Sequence, residues 1–276
     1  MNNIMKKLKN GEVLFIDGGF GTEIHKLGFA GDPALANLQN PEAVTEVHRQ
    51  YAVAGADIVT ANTFGAYSHK YNNYAEMVKA AVACARDGSQ GAAVALDLGP
   101  TGLQLEPYGD ATVEEVGSIF AATIAAAEKS VDLIIVETMM DINELEIAVC
   151  KAKTTGLPVF ATMTFNPNGR TMYGASIADM VELLERLEVD ALGINCSEGP
   201  EGFAVFVPQL LAATKLPVAI QPNAGLPIMV DGKPTYNLPP AEYATFMADM
   251  QKQGVAILGG CCGTTPAHIA AMKKAI

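Results

Sequence analysis

The chain has 276 residues, of which 50% are hydrophobic and 17% charged, so it is long enough to bury the core of one α/β barrel. Acidic residues outnumber basic residues by 30 to 18, which argues against a nucleic-acid or anionic-membrane partner, because phosphate binding requires clustered lysine and arginine. The first residues lack the apolar stretch of a signal peptide and no apolar run could span a bilayer, so we expect a soluble, cytoplasmic protein.

Short apolar runs alternate with longer stretches of helical spacing along the whole chain. The predicted strands cover residues 13–16, 57–61, 93–97, 132–137, 158–164, 191–195, 217–221 and 255–258. The predicted helices cover residues 41–54, 74–87, 113–129, 142–154, 177–187, 203–214, 239–253 and 266–276. Strands that are apolar throughout are typical of parallel sheets covered on both faces. Eight such units predict a single domain over residues 1–276, a (β/α)8 TIM barrel, and no glycine-rich nucleotide loop supports the doubly wound alternative.

Polar, acidic and thiol side chains follow nearly every predicted strand. They are Asp17, Thr60, Asn62, Asp97, Glu137, Thr162, Thr164, Asn195, Cys196, Gln221, Asn223, Cys261 and Cys262. Loops are polar in any fold, but acids, amides and thiols at the carboxyl ends of barrel strands favour an active site, because those loops surround one mouth. Asn62, Asp97, Thr164 and Asn195 are expected only to line that mouth.

The cysteines suggest a metal site. Cys196 follows the sixth predicted strand and Cys261 and Cys262 follow the eighth, so three thiolates could converge on one ion and leave a fourth position open, as in catalytic zinc sites. Spacing alone leaves open a vicinal disulfide or buried thiols without a role. Cys84 and Cys150 lie beside alanines in helical stretches and are predicted to be core residues. The four histidines are predicted to be surface or packing residues, namely His25, His48, His69 and His268.

Several motifs occur in a fixed order along the chain. They are DGGFGT at 17–22, AGADIVTANTF at 54–64, ET at 137–138, GINCS at 193–197, QPNAG at 221–225 and GGCCGT at 259–264. With this set the chain resembles the homocysteine S-methyltransferase family. Within that family, GPTG at 99–102 and the 221–226 segment resemble the homocysteine-binding module of cobalamin-dependent methionine synthase.

The resemblance implies a zinc ion held by Cys196, Cys261 and Cys262, with Asn223 as a fourth ligand in the absence of substrate. It also implies that Asp17 and Glu137 receive the amino group of homocysteine. The substrate carboxylate would bind the backbone amides of one loop, formed by Gly18, Gly19, Phe20, Gly21 and Thr22.

The expected chemistry is methyl transfer to the homocysteine thiol, giving methionine. Zinc coordination would lower the pKa of the thiol, so no protein general base is required. We expect the donor to be a methyl-corrinoid (cobalamin) on a separate corrinoid protein, because the chain has no cobalamin module of its own. S-methylmethionine, S-adenosylmethionine and betaine remain alternative donors, although 7% aromatic residues and no tryptophan disfavour a betaine cage. A non-catalytic zinc- or thiol-binding barrel is the alternative from another class.

Overall fold

The apolar runs form parallel strands in the computed structural model, which describes residues 3–127, 130–230 and 233–276. The strands are β1 Leu14–Phe15, β2 Ile58–Thr60, β3 Ala93–Leu98, β4 Leu133–Met139, β5 Val159–Met163, β6 Ala191–Asn195, β7 Val218–Gln221, β8 Ile228–Val230, β9 Lys233–Thr235 and β10 Ile257–Leu258. Eight of them pair in the order β1-β10-β7-β6-β5-β4-β3-β2, and a bridge between Ile16 and Ile58 brings β2 back to β1. The sheet nearly closes, which confirms the predicted TIM barrel.

Helices alternate with these strands and cover the outside of the sheet. They are α1 Asn3–Lys9, α2 Phe20–Lys26, α3 Ala36–Gln39, α4 Pro41–Val53, α5 Tyr74–Gly88, α6 Val113–Ala127, α7 Ile142–Lys153, α8 Ile177–Arg186, α9 Pro200–Ala213, α10 Pro240–Gln253 and α11 Pro266–Ala275. A 3₁₀ turn covers Pro33–Leu35. The predicted helix 113–129 agrees with α6 over the described residues, and its positions 128–129 lie outside them. Within the described ranges, no helix is both long and apolar enough to cross a membrane.

The two faces of the sheet bury different cores. Side chains inside the ring include Leu14, Ile58, Ile135 and Phe160, and Ile4 of α1 packs against them from the amino-terminal end of the barrel. A larger cluster fills the space between the strands and the surrounding helices. Because both faces are buried, the strands read as continuous apolar runs in the sequence.

At the amino-terminal end, aspartates repeat one structural contact. Asp57 accepts a hydrogen bond from the Phe15 N–H at 3.0 Å, and Asp190 accepts one from the Val159 N–H at 2.9 Å. Asp57 also forms a 2.6 Å ion pair with Lys7 of α1. These carboxylates satisfy strand amides that have no partner in the sheet, so this end of the barrel serves stability.

The prediction for Cys150 is wrong. Cys84 is buried as expected, but Cys150 is exposed. The inward face of α7 carries Leu145, Ala148 and Ala152, and at 3.6 residues per turn Cys150 falls on the opposite face.

Candidate metal and substrate site

Three sulfur atoms meet at the mouth of the barrel. Cys196 directly follows β6, and Cys261 and Cys262 lie in the loop after β10. The three Sγ atoms all lie within 4.8 Å of one another. Cys196 and the following Ser197 have positive φ angles of 60° and 47°, which are uncommon for residues other than glycine and turn the chain at the strand end. The predicted trio is therefore one cluster in space.

The cluster fits a zinc ion. A tetrahedral ion with Zn–S bonds of about 2.3 Å separates its sulfur ligands by about 3.8 Å, so only a small adjustment is required. Three sulfur donors also favour zinc over the hard cations. Interaction with the neighbouring Cys196 and Cys261 thiols lowers the pKa of Cys262, which favours one thiolate in the cluster. The Oδ1 atom of Asn223 is buried and has no hydrogen-bond partner in the described part of the chain, as expected of an atom that faces a ligand.

Backbone hydrogen bonds tie together the loops that carry these cysteines. Cys196 N–H donates to the Gln221 carbonyl at 3.0 Å, and Cys261 N–H donates to the Pro222 carbonyl at 2.9 Å. Ala224 N–H in turn donates to the Cys262 carbonyl at 2.9 Å. The loop after β7 therefore holds the loops after β6 and β10 in register, although it contributes no cysteine.

Asp17 is a buried carboxylate at the end of β1. Its Oδ2 accepts the Thr60 N–H at 2.8 Å and its Oδ1 accepts the Thr60 hydroxyl at 2.6 Å. Burial raises the pKa of Asp17 to about 7, against the opposing effect of these hydrogen bonds. Its own backbone carbonyl accepts the Gly260 N–H at 3.0 Å, which places Asp17 next to the cysteine loop.

Glu137 lies on β4 and faces the same mouth. Its Oε2 accepts from the Asn195 and Gln221 side-chain amides, each at 3.5 Å. Burial, then the charges of Asp17 and Cys262, raise the pKa of Glu137 to about 7. Asn195 also accepts the Thr138 N–H at 2.9 Å, so this amide fixes the backbone beside the carboxylate. The buried Asn195 side chain thus holds Glu137 in its orientation.

The glycine loop before α2 packs against the cysteine loop. Gly19 N–H donates to the Thr264 hydroxyl at 3.0 Å, so this amide is not available to a substrate carboxylate. A Cβ on Gly19 would lie 2.7 Å from the Cys261 carbonyl oxygen, a separation that only glycine allows. Residues 20–22 form the first turn of α2, whose amides have no partner within the helix.

The expected lining residues differ in their surroundings. Asp97 is buried with no partner for Oδ1 among the described residues, and burial, then Glu137 and Asp17, raise its pKa. Asn62 donates to the Pro33 carbonyl and the Asn37 side chain, both at 2.8 Å, so its amide is engaged in structural contacts. Thr164 is partly buried, and its N–H donates to the Met139 carbonyl at 3.0 Å.

Sequence reasoning missed Tyr236, whose ring packs over Gly263 beside the cysteine pair. It follows the β8–β9 hairpin and belongs to no barrel strand, so the rule that inspects strand ends could not select it. Two of the histidines that were predicted to be surface or packing residues are buried. His48 is fully buried against Phe20, with ring centroids 5.0 Å apart, and His268 accepts the Thr265 N–H at the start of α11.

Comparison with known proteins assigns the family. A model of the family "Homocysteine S-methyltransferase" matches residues 14–276. The chain belongs to the homocysteine S-methyltransferase family.

Two curated proteins similar to this homocysteine S-methyltransferase family member are named methionine synthase. One, from Mycobacterium tuberculosis (strain ATCC 25618 / H37Rv), is 31% identical over 300 residues, and one from Mycobacterium leprae (strain TN) is 30% identical over 298 residues. Both alignments cover 96% of this chain and 24% of the relative. The chain therefore spans about a quarter of the length of these curated relatives.

A solved structure of similar size shares the fold. The homocysteine methyltransferase MmuM from Escherichia coli, in its apo form, is 25% identical and superimposes with a TM-score of 0.80, covering 99% of this chain and 100% of that chain. Its metallated form superimposes with a TM-score of 0.83 at 24% identity, covering 99% of each chain.

Proposed function

We propose that this member of the homocysteine S-methyltransferase family transfers a methyl group to the thiol of homocysteine, giving methionine, with zinc held by Cys196, Cys261 and Cys262. One observation carries the proposal: three Sγ atoms within 4.8 Å of one another share the barrel mouth with the buried carboxylate of Asp17 and the partly buried carboxylate of Glu137. Sulfur ligands suit zinc, and carboxylates suit an ammonium group. An amino acid with a thiol side chain matches both halves of the site.

In this proposal Asp17 and Glu137 accept hydrogen bonds from the substrate ammonium group. Asp17 keeps its two bonds to Thr60, because each carboxylate oxygen has a second lone pair. The pKa values near 7 are expected to fall when a cation lies beside these groups, so both would be charged in the complex. The amides of Gly18 and of residues 20–22 are the donors left in the glycine loop for the substrate carboxylate.

In this proposal the protein side chains orient the substrate and do not act as a general acid or base. When bound, zinc lowers the pKa of the substrate thiol, so the sulfur is a thiolate at neutral pH. The sulfur lone pair forms the new S–CH₃ bond while the bond between methyl and donor breaks, and that electron pair leaves with the donor. No side chain has to remove a proton during this displacement, which agrees with a site whose carboxylates are reserved for the ammonium group.

We further propose that the donor is a methyl-corrinoid presented by a separate protein or by another part of a longer polypeptide. Exposed apolar side chains occur in the loops that follow the barrel strands, namely Phe64, Met172, Leu226, Ile228 and Met229. Exposed apolar residues around a mouth favour docking of a large partner over entry of a small sulfonium or betaine donor.

The test follows the methyl–cobalt absorbance of methylcobalamin with the zinc-loaded protein and homocysteine. We expect loss of that spectrum to require homocysteine. In Cys261→Ser the rate should fall to less than about one hundredth of wild type, because a ligand is removed. The exposed Cys150→Ser is the matched control and should react at the wild-type rate.

The outcomes separate the parts of the proposal. Methionine formation from S-methylmethionine, S-adenosylmethionine or betaine, but not from methylcobalamin or a methylated corrinoid protein, would overturn the donor and leave the thiol chemistry in place. Zinc and homocysteine binding without methyl transfer from any of these donors would indicate a non-catalytic barrel.

A further inference from the structure

A β-bulge interrupts strand β4 where it reaches the mouth of the barrel. Pairing of β4 with β5 is regular up to Val136 and resumes at Met139. The two residues between them, Glu137 and Thr138, lie opposite a single residue of β5. The φ angle of Thr138 is 60°, a left-handed value that is unfavourable for a β-branched residue. Backbone strain of this kind persists where the surrounding structure holds a residue in place, and it is common at functional sites.

The Asn195 side chain closes this bulge. Its Oδ1 atom accepts the Thr138 N–H at 2.9 Å and the Thr162 hydroxyl at 2.8 Å. Its Nδ2 atom donates to the Thr138 hydroxyl oxygen at 2.7 Å and to Glu137 Oε2 at 3.5 Å. These four bonds use both lone pairs and both N–H groups of the amide, so its orientation is fixed. Because Asn195 is fully buried, solvent does not compete for these bonds.

The bulge brings the Thr138 hydroxyl within reach of this amide. Ile135 lies in the core inside the ring and Val136 lies in the outer core. Continued alternation would turn Glu137 inward and Thr138 outward, away from the Asn195 side chain. The extra residue instead brings both side chains to the amide. The Thr138 oxygen binds one N–H of Asn195, which leaves the other N–H directed at Glu137.

Glu137 is held through only one of its two carboxylate oxygens. Asn195 and Gln221 both donate to Oε2, and Oε1 accepts no hydrogen bond from the described part of the chain. Oε1 is therefore the atom available to a donor on a ligand, which in the proposed function is the substrate ammonium group. A carboxylate that is already fixed loses less conformational freedom on binding than one that rotates freely.

We propose that this bulge makes the site selective for thiols that carry an amino group, with Thr138 and Asn195 as positioning residues that direct Glu137 at that group. The inference rests on the proposed function, in which Glu137 accepts a hydrogen bond from the substrate ammonium group. It assigns Thr138 and Asn195 no direct contact with the reacting atoms. The preference for homocysteine over a simple thiol then depends on the backbone geometry of β4.

The test compares Thr138→Val with wild type in the binding of two thiols to the zinc-loaded protein, measured by calorimetry. Homocysteine carries the amino group, and 4-sulfanylbutanoate has hydrogen in its place. Valine keeps the shape and the β-branch of threonine and removes only the acceptor of the Asn195 N–H. We expect the dissociation constant of homocysteine to rise about 10-fold and that of 4-sulfanylbutanoate to change less than about twofold. Thr138→Ser, which retains the hydroxyl, should keep the wild-type preference.

Two further variants separate the hydrogen bond from backbone strain and from the loss of any buried hydroxyl. Thr138→Gly relieves the unfavourable φ but lacks the hydroxyl, so it should fold readily and also lose the preference for homocysteine. Thr123→Val is the matched control. It removes a buried hydroxyl from α6, where that group donates to the Ile119 carbonyl, and should bind both thiols as wild type does.

The outcomes separate the inference from the proposed function. Equal weakening of both thiols in Thr138→Val, or weakening of neither, would overturn the inference, because a purely structural role does not discriminate by the amino group. Glu137→Gln tests the proposed function itself and should lose the preference for homocysteine. If Glu137→Gln keeps that preference, the proposed role of Glu137 fails and the inference fails with it. If Glu137→Gln loses it and Thr138→Val keeps it, only the inference fails.

Discussion

Asp97 is the buried carboxylate at the mouth whose surroundings suit its charge least. Its side chain is 6% exposed, and Oδ1 has no partner in the described ranges. Burial and the charges of Glu137 and Asp17 all raise its pKa. Ionisation of Asp97 is therefore less favourable in the folded protein than in the unfolded chain, which lowers stability at pH values above the pKa of the unfolded chain. Such a residue is retained at the expense of stability, as is common at functional sites.

We expect Asp97→Asn to raise the free energy of unfolding by about 1 kcal/mol at pH 8. The pKa of Asp97 is higher in the folded state than in the unfolded chain. At pH values above the unfolded-state pKa, Asp97 therefore destabilises the folded protein, and this cost increases with pH until the folded-state pKa is reached. The difference between variant and wild type should therefore be largest at high pH and shrink towards pH 4. Denaturant unfolding at pH 8 and pH 5 measures it.

The control for this prediction is Asp249→Asn, which changes an exposed carboxylate that pairs with Lys252. Its effect should stay within about 0.5 kcal/mol at both pH values. Equal stability of wild type and Asp97→Asn at pH 8 would contradict the prediction, because it would show that the pKa of Asp97 is not raised in the folded protein.

At the residue scale the sequence predicted the parts of the site that stand at strand ends. Asp17, Glu137 and the three cysteines follow buried apolar runs, and parallel strands bring their carboxyl ends to one mouth. The hydrogen bonds that tune these residues were not predictable. Thr60 could be placed next to the mouth, but its double contact with Asp17 depends on the register between β1 and β2.

At the scale of elements, the two ends of the barrel carry different tasks. The candidate site occupies the carboxyl end, where loops bond to one another. The amino end is stabilised by carboxylates that accept hydrogen bonds from strand N–H groups, such as those of Asp57 and Asp190. Changes at the amino end should therefore alter stability and leave ligand binding unchanged.

Asp57→Ala tests this division. The variant removes the acceptor of the Phe15 N–H and the partner of Lys7. A buried amide without an acceptor costs about 2 kcal/mol, so we expect a loss of unfolding free energy of that size. The KM for homocysteine should remain at the wild-type value, as measured in the methyl-transfer assay. Glu146→Ala breaks an exposed pair with Arg186 and should cost less than about 0.5 kcal/mol; an equal loss in both variants would contradict the prediction.

The long helices and the barrel strands were predictable, because each buries an apolar face of sufficient length. The predicted strand 191–195 agrees with β6 at both ends, and most other boundaries differ by one or two residues. The short helices α1 and α2 have seven residues each, too few for a helical period to be recognised. The strand β8 is exposed at all three positions, so no alternation of burial marks it.

For the whole molecule, the proposed metal joins loops from distant parts of the sequence. Binding to the folded state alone stabilises it by about 2.7 kcal/mol when free zinc is 100 times its dissociation constant. We therefore expect zinc to raise the melting temperature of wild type in a concentration-dependent way, with one ion bound per chain. Thermal unfolding with and without a chelator measures this. Cys262→Ser should lose the shift, and an equal shift in that variant would place the ion elsewhere.

The pairing of β1 with β10 brings the first and last strands of the ring together, through Leu14 with Ile257 and Phe15 with Leu258. Asp17 follows one of these strands, and Cys261 and Cys262 follow the other. Contacts between such distant parts of a chain form late in folding, because the entropy of closing the intervening loop must first be overcome. The three cysteines follow β6 and β10, which both adjoin β7, so they can assemble before β1 pairs with β10, whereas Asp17 joins them only when the ring closes. Homocysteine binding, which in the proposal requires Asp17 as well as the metal, would then distinguish molecules with a closed ring from molecules in which β1 has not yet paired.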